Sequence, residues 1–347
     1  DISSVENGTG IVSYDNTLLG KNAPSRARRY AFSGSTLVST VRPNLRAFAY
    51  ISEEHKDAVY STGFAILRSK DEKRLLNKLI YIYFMNLEPL MDQIIEKMPK
   101  GQYPSINKAD IESLQIPVPP IEIQKKIISG CEAIDKEYAT SRMTIETYRK
   151  KISEIFDNLE VIAKEKTGGV KMLKQICSYS NERISMSEMS VADYISTDNL
   201  LQNYEGVRPY DGEPNINSAV KYDKGDILLS NIRPYLKKIW LADKDGGCSP
   251  DVLVIRLDSR DYLPEYVYHV MARQRFFDFV MTDVKGMKMP RGNKDNIMRY
   301  EIPSISLVEQ QQIVDKIYEY KRQIDLAQEI MRGCTNRKRS VIEHYLS

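Results

Sequence analysis

Two hydrophobic spacings alternate along this chain, and the alternation happens twice. Short apolar runs occur at Leu37–Val41 and Phe64–Leu67, and again at Asp226–Ile232 and Val252–Leu257. Brief runs rich in branched residues and bounded by turn formers predict β-strands. Helical spacing follows near Leu75–Met98 and Glu265–Thr282. Long heptad patterns come next. After the turn at Pro117–Pro120, one seam position reads Ile127, Ile134, Ser141, Tyr148, Ile155, Ile162, and the other reads Cys131, Tyr138, Ile145, Ile152, Leu159. After Pro303–Ser306 the seam is Ile313, Tyr320, Ala327, Cys334, Val341 with Ile317, Ile324, Met331, Lys338, Tyr345. Sustained heptads with charged flanking positions predict coiled-coil packing. The expected helices are 121–165 and 307–346, paired antiparallel. At ~1.5 Å per residue, 40 residues of helix would span roughly 60 Å. The simpler alternative is that each helix lies along its own domain's core.

The same words recur within this pattern. Residues 37–45 read Leu-Val-Ser-Thr-Val-Arg-Pro-Asn-Leu, and residues 228–236 read Leu-Leu-Ser-Asn-Ile-Arg-Pro-Tyr-Leu. Ile2-Ser3 corresponds to Ile195-Ser196, Asn107-Lys108 to Asn293-Lys294, Ile116-Pro117 to Ile302-Pro303, and Gln124 to Gln310. The order is kept while the offset drifts, as loop insertions in a duplicated unit would cause. The expected architecture is α+β: two similar strand-rich modules separated by two long antiparallel helices, related by a pseudo-twofold axis. The boundaries are 1–119, 120–167, 168–304 and 305–347. Copy two has a lead-in, Val170–Tyr194, that copy one lacks, so the first module is expected to be incomplete at its front and short of an edge strand.

Composition narrows the function. The net charge is only +3 with 28% charged residues, so any nucleic-acid surface is local, or partners supply part of the contact. Cys131, Cys177, Cys248 and Cys334 are widely spaced and form no C-x-x-C pair. That fits neither a zinc knuckle nor a disulfide scaffold, and a reducing cytoplasm is the expected setting. No apolar run has the length of a membrane span, and no signal peptide is visible. The start at Asp1 without methionine suggests an excised or processed piece. Catalytic motifs are also missing. Adenine methylation needs an (N/D)-P-P-(Y/F) loop for the flipped base, but the only Pro-Pro sits in Val118-Pro119-Pro120-Ile121 at a helix entrance. No Gly-rich loop suggests a bound nucleotide or methyl donor. Glu54-His55-Lys56 and Asp71-Glu72-Lys73 have a nuclease-like spelling without an upstream partner, so they read as solvated charge. His55, His269 and His344 are scattered. Neither a cofactor nor a metal is expected.

One segment resembles a known family. Ile116-Pro-Val-Pro-Pro-Ile-Glu-Ile-Gln-Lys-Lys-Ile is similar to the junction in type I restriction–modification specificity subunits where a target-recognition domain meets a conserved helix. Ile302-Pro-Ser-Ile-Ser-Leu-Val-Glu-Gln-Gln-Gln-Ile is its second occurrence, with Ser304 and Ser306 where copy one has Val118 and Pro120. The stretches Gly101–Ile111 and Gly286–Ile297 resemble the ends of recognition domains. The resemblance implies a non-catalytic subunit. Each recognition domain would read one half of a split site in double-stranded DNA. The helices would set the gap and dock two adenine-methylating subunits, and a translocating nuclease subunit would join for restriction. Two other readings are a specificity region of a single-chain methyltransferase and a coiled-coil adaptor that never touches DNA.

Basic clusters are the candidate DNA contacts. Copy one offers Lys21, Arg26, Arg28 and Arg29, then Arg42 and Arg46. Copy two offers Arg233, Lys237 and Lys238, then Lys285, Lys288, Arg291 and Lys294 around Gly286 and Gly292. Lysine and arginine neutralise phosphate, and arginine can bridge O6 and N7 of guanine. Ser39-Thr40 and Ser230-Asn231 are possible polar readers, although ending a strand beside the Arg-Pro turn is the simpler role.

Overall fold

The computed structural model describes residues 1–347 apart from 16–17, 56–57, 100, 102–103, 166–168 and 215. Lys56 and the expected boundary between 167 and 168 therefore lie outside the described residues. The chain forms two compact units: Asp1–Met143 with Leu326–Ser347, and Thr144–Asp325.

In the first unit, β1 (Ala27–Tyr30), β2 (Thr36–Ser39), β3 (Phe48–Tyr50), β4 (Val59–Ser61) and β5 (Phe64–Leu67) make two small sheets, β1-β4 and β3-β2-β5, all antiparallel. All four residues of β2 are buried. Successive strand side chains point to opposite faces, so Leu37 joins Ala49, Ile51, Tyr60 and Phe64 while Val38 joins Phe48, Leu79 and Tyr83. That double burial explains why the run is continuously apolar rather than alternating. The helices are α1 (Asn77–Asn86), α2 (Glu88–Lys97), α3 (Lys108–Glu112) and residues 121–143 of α4 (Ile121–Glu165). Residues 326–346 of the last helix run antiparallel to 121–143. Cys334 Sγ lies 4.0 Å from the Ile134 carbonyl, and Arg337 grips both Glu137 oxygens at 2.6 and 3.0 Å. Gly130 permits this approach, because a Cβ there would come within 2.9 Å of Val341.

The second unit repeats the plan with additions. Its lead-in supplies β6 (Val170–Met172), β7 (Cys177–Tyr179), β8 (Arg183–Ser185) and β9 (Tyr194–Ile195). Then come β10 (Ser218–Tyr222), β11 (Ile227–Ser230), β12 (Ile239–Leu241), β13 (Gly246–Cys248) and β14 (Val252–Leu257). The sheet orders are β12-β11-β14-β7 and β8-β10-β13-β9. Stripped of lead-in strands they match β3-β2-β5 and β1-β4, which bears out the expected duplication. Strand β11 is also buried throughout, with Ile227 and Leu229 in one core and Leu228 in another beside Trp240. Helices α5 (Pro264–Met271) and α6 (Gln274–Met281) follow, then hairpin β15 (Val284–Lys285) and β16 (Arg291–Gly292), α7 (Lys294–Ile297), β17 (Glu301–Pro303) and α8 (Leu307–Leu346). Strand β17 closes on β6.

The heptads hold for most of their length and then slip. Ile127, Cys131, Ile134 and Ile145 are buried, and so is Ser141, which interrupted the pattern. Farther along α4, Phe156 and Ala163 are buried, whereas Ile162 is 50% exposed and Ile155 and Leu159 are only partly covered. The expected seam residue Ile162 is therefore replaced by its neighbour. An α-helix of 3.6 residues per turn drifts ~20° per heptad against a strict 3.5 repeat, and Phe156 turns into the core formed with Val314 and Ile317. Helix α8 behaves alike: Val314 and Ile342 are buried more deeply than Ile313 and Val341. Ile317 and Ile324 are buried, and Ile152 and Met331 partly so. In the second unit Tyr148 and Tyr320 meet at 5.1 Å between ring centroids, which sets 144–165 antiparallel to 307–325.

One repeated residue ties helix to module. Gln124 is fully buried; its Oε1 accepts from Leu76 N at 2.9 Å, and its Nε2 donates to the carbonyls of Arg74 and Pro119. Gln310 does the same with Leu263 N at 2.8 Å and the carbonyls of Asp261 and Ile305. Each amide satisfies three backbone groups at the entrance of a module helix, and such buried groups are costly to leave unpaired.

Candidate nucleic-acid interface

The repeated Arg-Pro turn has the same unusual backbone in both units. Arg42 (φ 48°) and Arg46 (φ 54°) flank the short 3₁₀ turn Pro43–Leu45, all in left-handed conformation at its two caps. Arg233 (φ 51°) and Lys237 (φ 54°) flank Pro234–Leu236 identically. A side chain in this region costs about 1–2 kcal/mol, and glycine would avoid the cost. Four basic residues stand there instead. The proline of each turn is buried and anchors it. Ser39 Oγ donates to the Val41 carbonyl at 2.7 Å, and Ser230 Oγ donates to the Ile232 carbonyl at 3.1 Å. Both serines are buried, so they close the strand end, as the simpler reading expected.

A second loop is stitched to each turn. Arg42 N donates to the Pro104 carbonyl and Arg233 N to the Pro290 carbonyl, both at 2.8 Å. Val41 bridges Ser105, and Ile232 bridges Arg291. The fold thus brings two sequence-distant basic groups together in the second unit: the Arg233 turn and the Lys285–Arg291 hairpin. In the first unit it joins Arg42 to the segment before Asn107.

The basic residues differ in what occupies them. Arg46 is partly buried and binds both oxygens of Glu88 at 2.8 and 2.9 Å, with Arg339 on the same carboxylate. Lys238 donates to the Thr197 carbonyl, and its partial burial holds its pKa below the usual lysine value. Arg291 pairs with Asp251 at 3.0 Å, and Lys294 lies over the Tyr179 ring at 5.9 Å. Arg233, Lys285 and Lys288 are exposed and Lys237 half-buried, and among the described residues none of the four makes an ion pair. Lys21 sits exposed in a 3₁₀ turn, while Arg26, Arg28 and Arg29 lie on or just before β1 rather than in a loop. Arg28 Nε donates to the Ser25 carbonyl at 2.6 Å. This ribbon is separate from the Arg-Pro turn in sequence, and no hydrogen bond among the described residues joins the two.

Sequence reasoning missed the tip of the β15–β16 hairpin. Met287 is 103% exposed and Met289 50% exposed, with Lys288 between them. Two methionines beside glycines gave no periodic signal; only the hairpin makes them protrude. The cysteines are all buried and unpaired, and burial pushes the thiols of Cys131, Cys177 and Cys248 up to about 12. No helix among the described residues is long and apolar enough to cross a membrane.

Comparison with known proteins follows the same lines. Residues 7–147 match the family model "Type I restriction modification DNA specificity domain". A 95-residue stretch, 27% of this chain, is 30% identical to the type I restriction enzyme EcoDI specificity subunit of Escherichia coli and covers 20% of that protein. A putative type I specificity subunit of Haemophilus influenzae is 23% identical over 271 residues, which are 70% of this chain and 64% of that one. The chain thus spans less than two thirds of the curated relatives it matches. In fold it is similar to the crystal structure of a type I restriction–modification S subunit from M. genitalium, with a TM-score of 0.52 and 13% identity over 92% of this chain and 84% of that one. The specificity-domain match thus falls on residues 7–147, and the chain as a whole shares the fold of a type I restriction–modification S subunit.

Proposed function

We propose that this chain reads a bipartite site in double-stranded DNA for a type I restriction–modification complex and carries out no chemistry itself. Each unit would read one half-site through its Arg-Pro turn and the loop bonded to it. The paired helices would set the gap between half-sites and dock two adenine methyltransferase subunits, with a translocating nuclease subunit joining for restriction in the cytoplasm. The observation that carries this reading is the twice-built turn: four basic residues kept in a costly left-handed backbone at matching positions of two units. Observed backbone outliers of this kind cluster at functional sites.

Among the candidates, Arg42, Arg233, Lys237, Lys285, Lys288 and Arg291 are the proposed turn-and-hairpin contacts. Lys21, Arg26, Arg28 and Arg29 form a second proposed basic patch on the first unit, and Lys294 a flanking contact. Arg46 and Lys238 are proposed to position the turns, because Glu88 and the Thr197 carbonyl hold them.

The test is DNA binding against salt concentration. Each phosphate contact contributes about −0.9 to the slope of log K against log salt, so a steep slope is expected and a flat one defeats the proposal. The ruler role has its own test. Inserting one heptad into each helix at matched heights adds about 10 Å, so the preferred gap should grow by about three base pairs with unchanged half-sites. An unchanged gap with folding intact would show that the helices do not set it.

A further inference from the structure

We propose that Met287 reads a thymine in the DNA major groove by packing its thioether and methyl against the thymine 5-methyl group. This rests on the DNA-reading function above and names the contact that one tip makes.

The placement of Met287 has no explanation inside the molecule. It is 103% exposed, as open as in an extended chain, so it packs against nothing. Yet the hairpin that carries it is firmly held. Val284 pairs with Gly292 and Lys285 with Arg291, Gly292 N donates to the Asn231 carbonyl at 3.2 Å, and Pro290 accepts from Arg233 N. Gly286 turns the tip at φ +88°, where a Cβ would also meet the Met289 carbonyl at 3.2 Å. A rigid support ending in an unburied apolar side chain suits a contact made with another molecule.

Charge identifies that molecule. Lys285 and Lys288 are exposed on either side of Met287 in the hairpin, while Arg291, opposite Lys285, pairs with Asp251, so the apolar point lies between two lysines. Cations on either side suit the phosphates that border a groove, and the point between them suits its floor. The major groove admits a two-stranded ribbon, and the one apolar feature that marks a base there is the thymine methyl.

The repeat adds an independent argument. Before the shared proline, copy two reads Gly-Met-Lys-Met-Pro and copy one reads Gly-Gln-Tyr-Pro. The turn-to-proline hydrogen bond is 2.8 Å in both units. A common hydrogen bond to the proline, with a different sequence before it in each copy, is what two dissimilar half-sites require.

The experiment uses the full chain and a duplex selected by binding from random sequences. Each thymine of the selected site is replaced singly by uracil, which removes only the 5-methyl. One replacement should weaken binding by about fourfold, the value of one buried methyl. Met287→Ala should weaken binding to the thymine duplex by at least as much and then show no further loss with uracil at that position. Lys288→Ala should instead weaken binding to all duplexes alike and reduce the salt slope by about 1. Met287 is exposed, so its truncation leaves the fold intact, checked by circular dichroism. Wild-type affinity in Met287→Ala, or equal sensitivity of both proteins to uracil at every position, overturns the contact while the DNA-reading function stands. Absence of any salt-dependent DNA binding overturns both.

Discussion

The two units share a plan and differ in how the edges of their sheets are finished. In the second unit β8 covers one side of β10 and β7 extends the sheet beyond β14. In the first unit the corresponding strands β1 and β5 have no such neighbours among the described residues, and Tyr30, Phe32 and Val59 are each about half exposed or more. Where β10 carries Ala219, fully buried, β1 carries exposed Arg28. Open strand edges are commonly blunted by charge, so the basic β1 ribbon has an edge-protecting explanation beside the DNA one. The Arg-Pro turns teach the opposite lesson: the backbone angles at their caps agree to within about 10° although one is locked to Glu88 and the other is not. What is invariant between the units is the support, and what varies is the surface it displays.

A substitution at either buried glutamine should separate the two units most clearly. Gln124→Ala or Gln310→Ala strands one N–H and two carbonyls and should cost about 2–4 kcal/mol. Hydrogen exchange resolved by residue should show the loss in the substituted unit first. Equal loss in both units would mean that they do not unfold separately.

Acid should discriminate next. His269 is buried beside Tyr268 and Tyr318, and burial, then the Lys321 charge, hold its pKa well below its ordinary 6.5. The folded state keeps the imidazole neutral, while the unfolded chain takes up a proton below that value. Its stability contribution is therefore full above pH 6.5 and is lost as pH falls towards the folded pKa, by as much as about 1.4 kcal/mol per pH unit. Chemical denaturation between pH 7 and 5 should weaken the second unit more than the first, and His269→Gln should flatten that dependence.

The smallest expected effect sharpens the turn. Arg233→Gly should be more stable than Arg233→Ala by about 1 kcal/mol, because only glycine relieves the left-handed strain. Both should lose DNA affinity. Equal stabilities would show that the turn is not strained.

Much of this molecule follows from sequence because the signals are periodic or repeated. Strands β5 and β14 and the extents of both long helices follow from apolar runs and heptads. The duplication follows from words that recur in order. Other features needed the tertiary structure. Heptad counting places Ile162 in the seam, but real helical pitch rotates Phe156 and Ala163 inward instead. Arg46 and Arg233 look alike as basic residues beside a proline. Only the chain's return through α2 brings Glu88 to Arg46, and in the second unit α6 begins with Gln274. The Arg233 turn and the Met287 hairpin lie more than 50 residues apart in sequence and meet through backbone hydrogen bonds. Local sequence sets what each segment prefers to be. Which side chains are left facing solvent depends on what the rest of the chain packs against them, and that is decided by contacts no local pattern encodes.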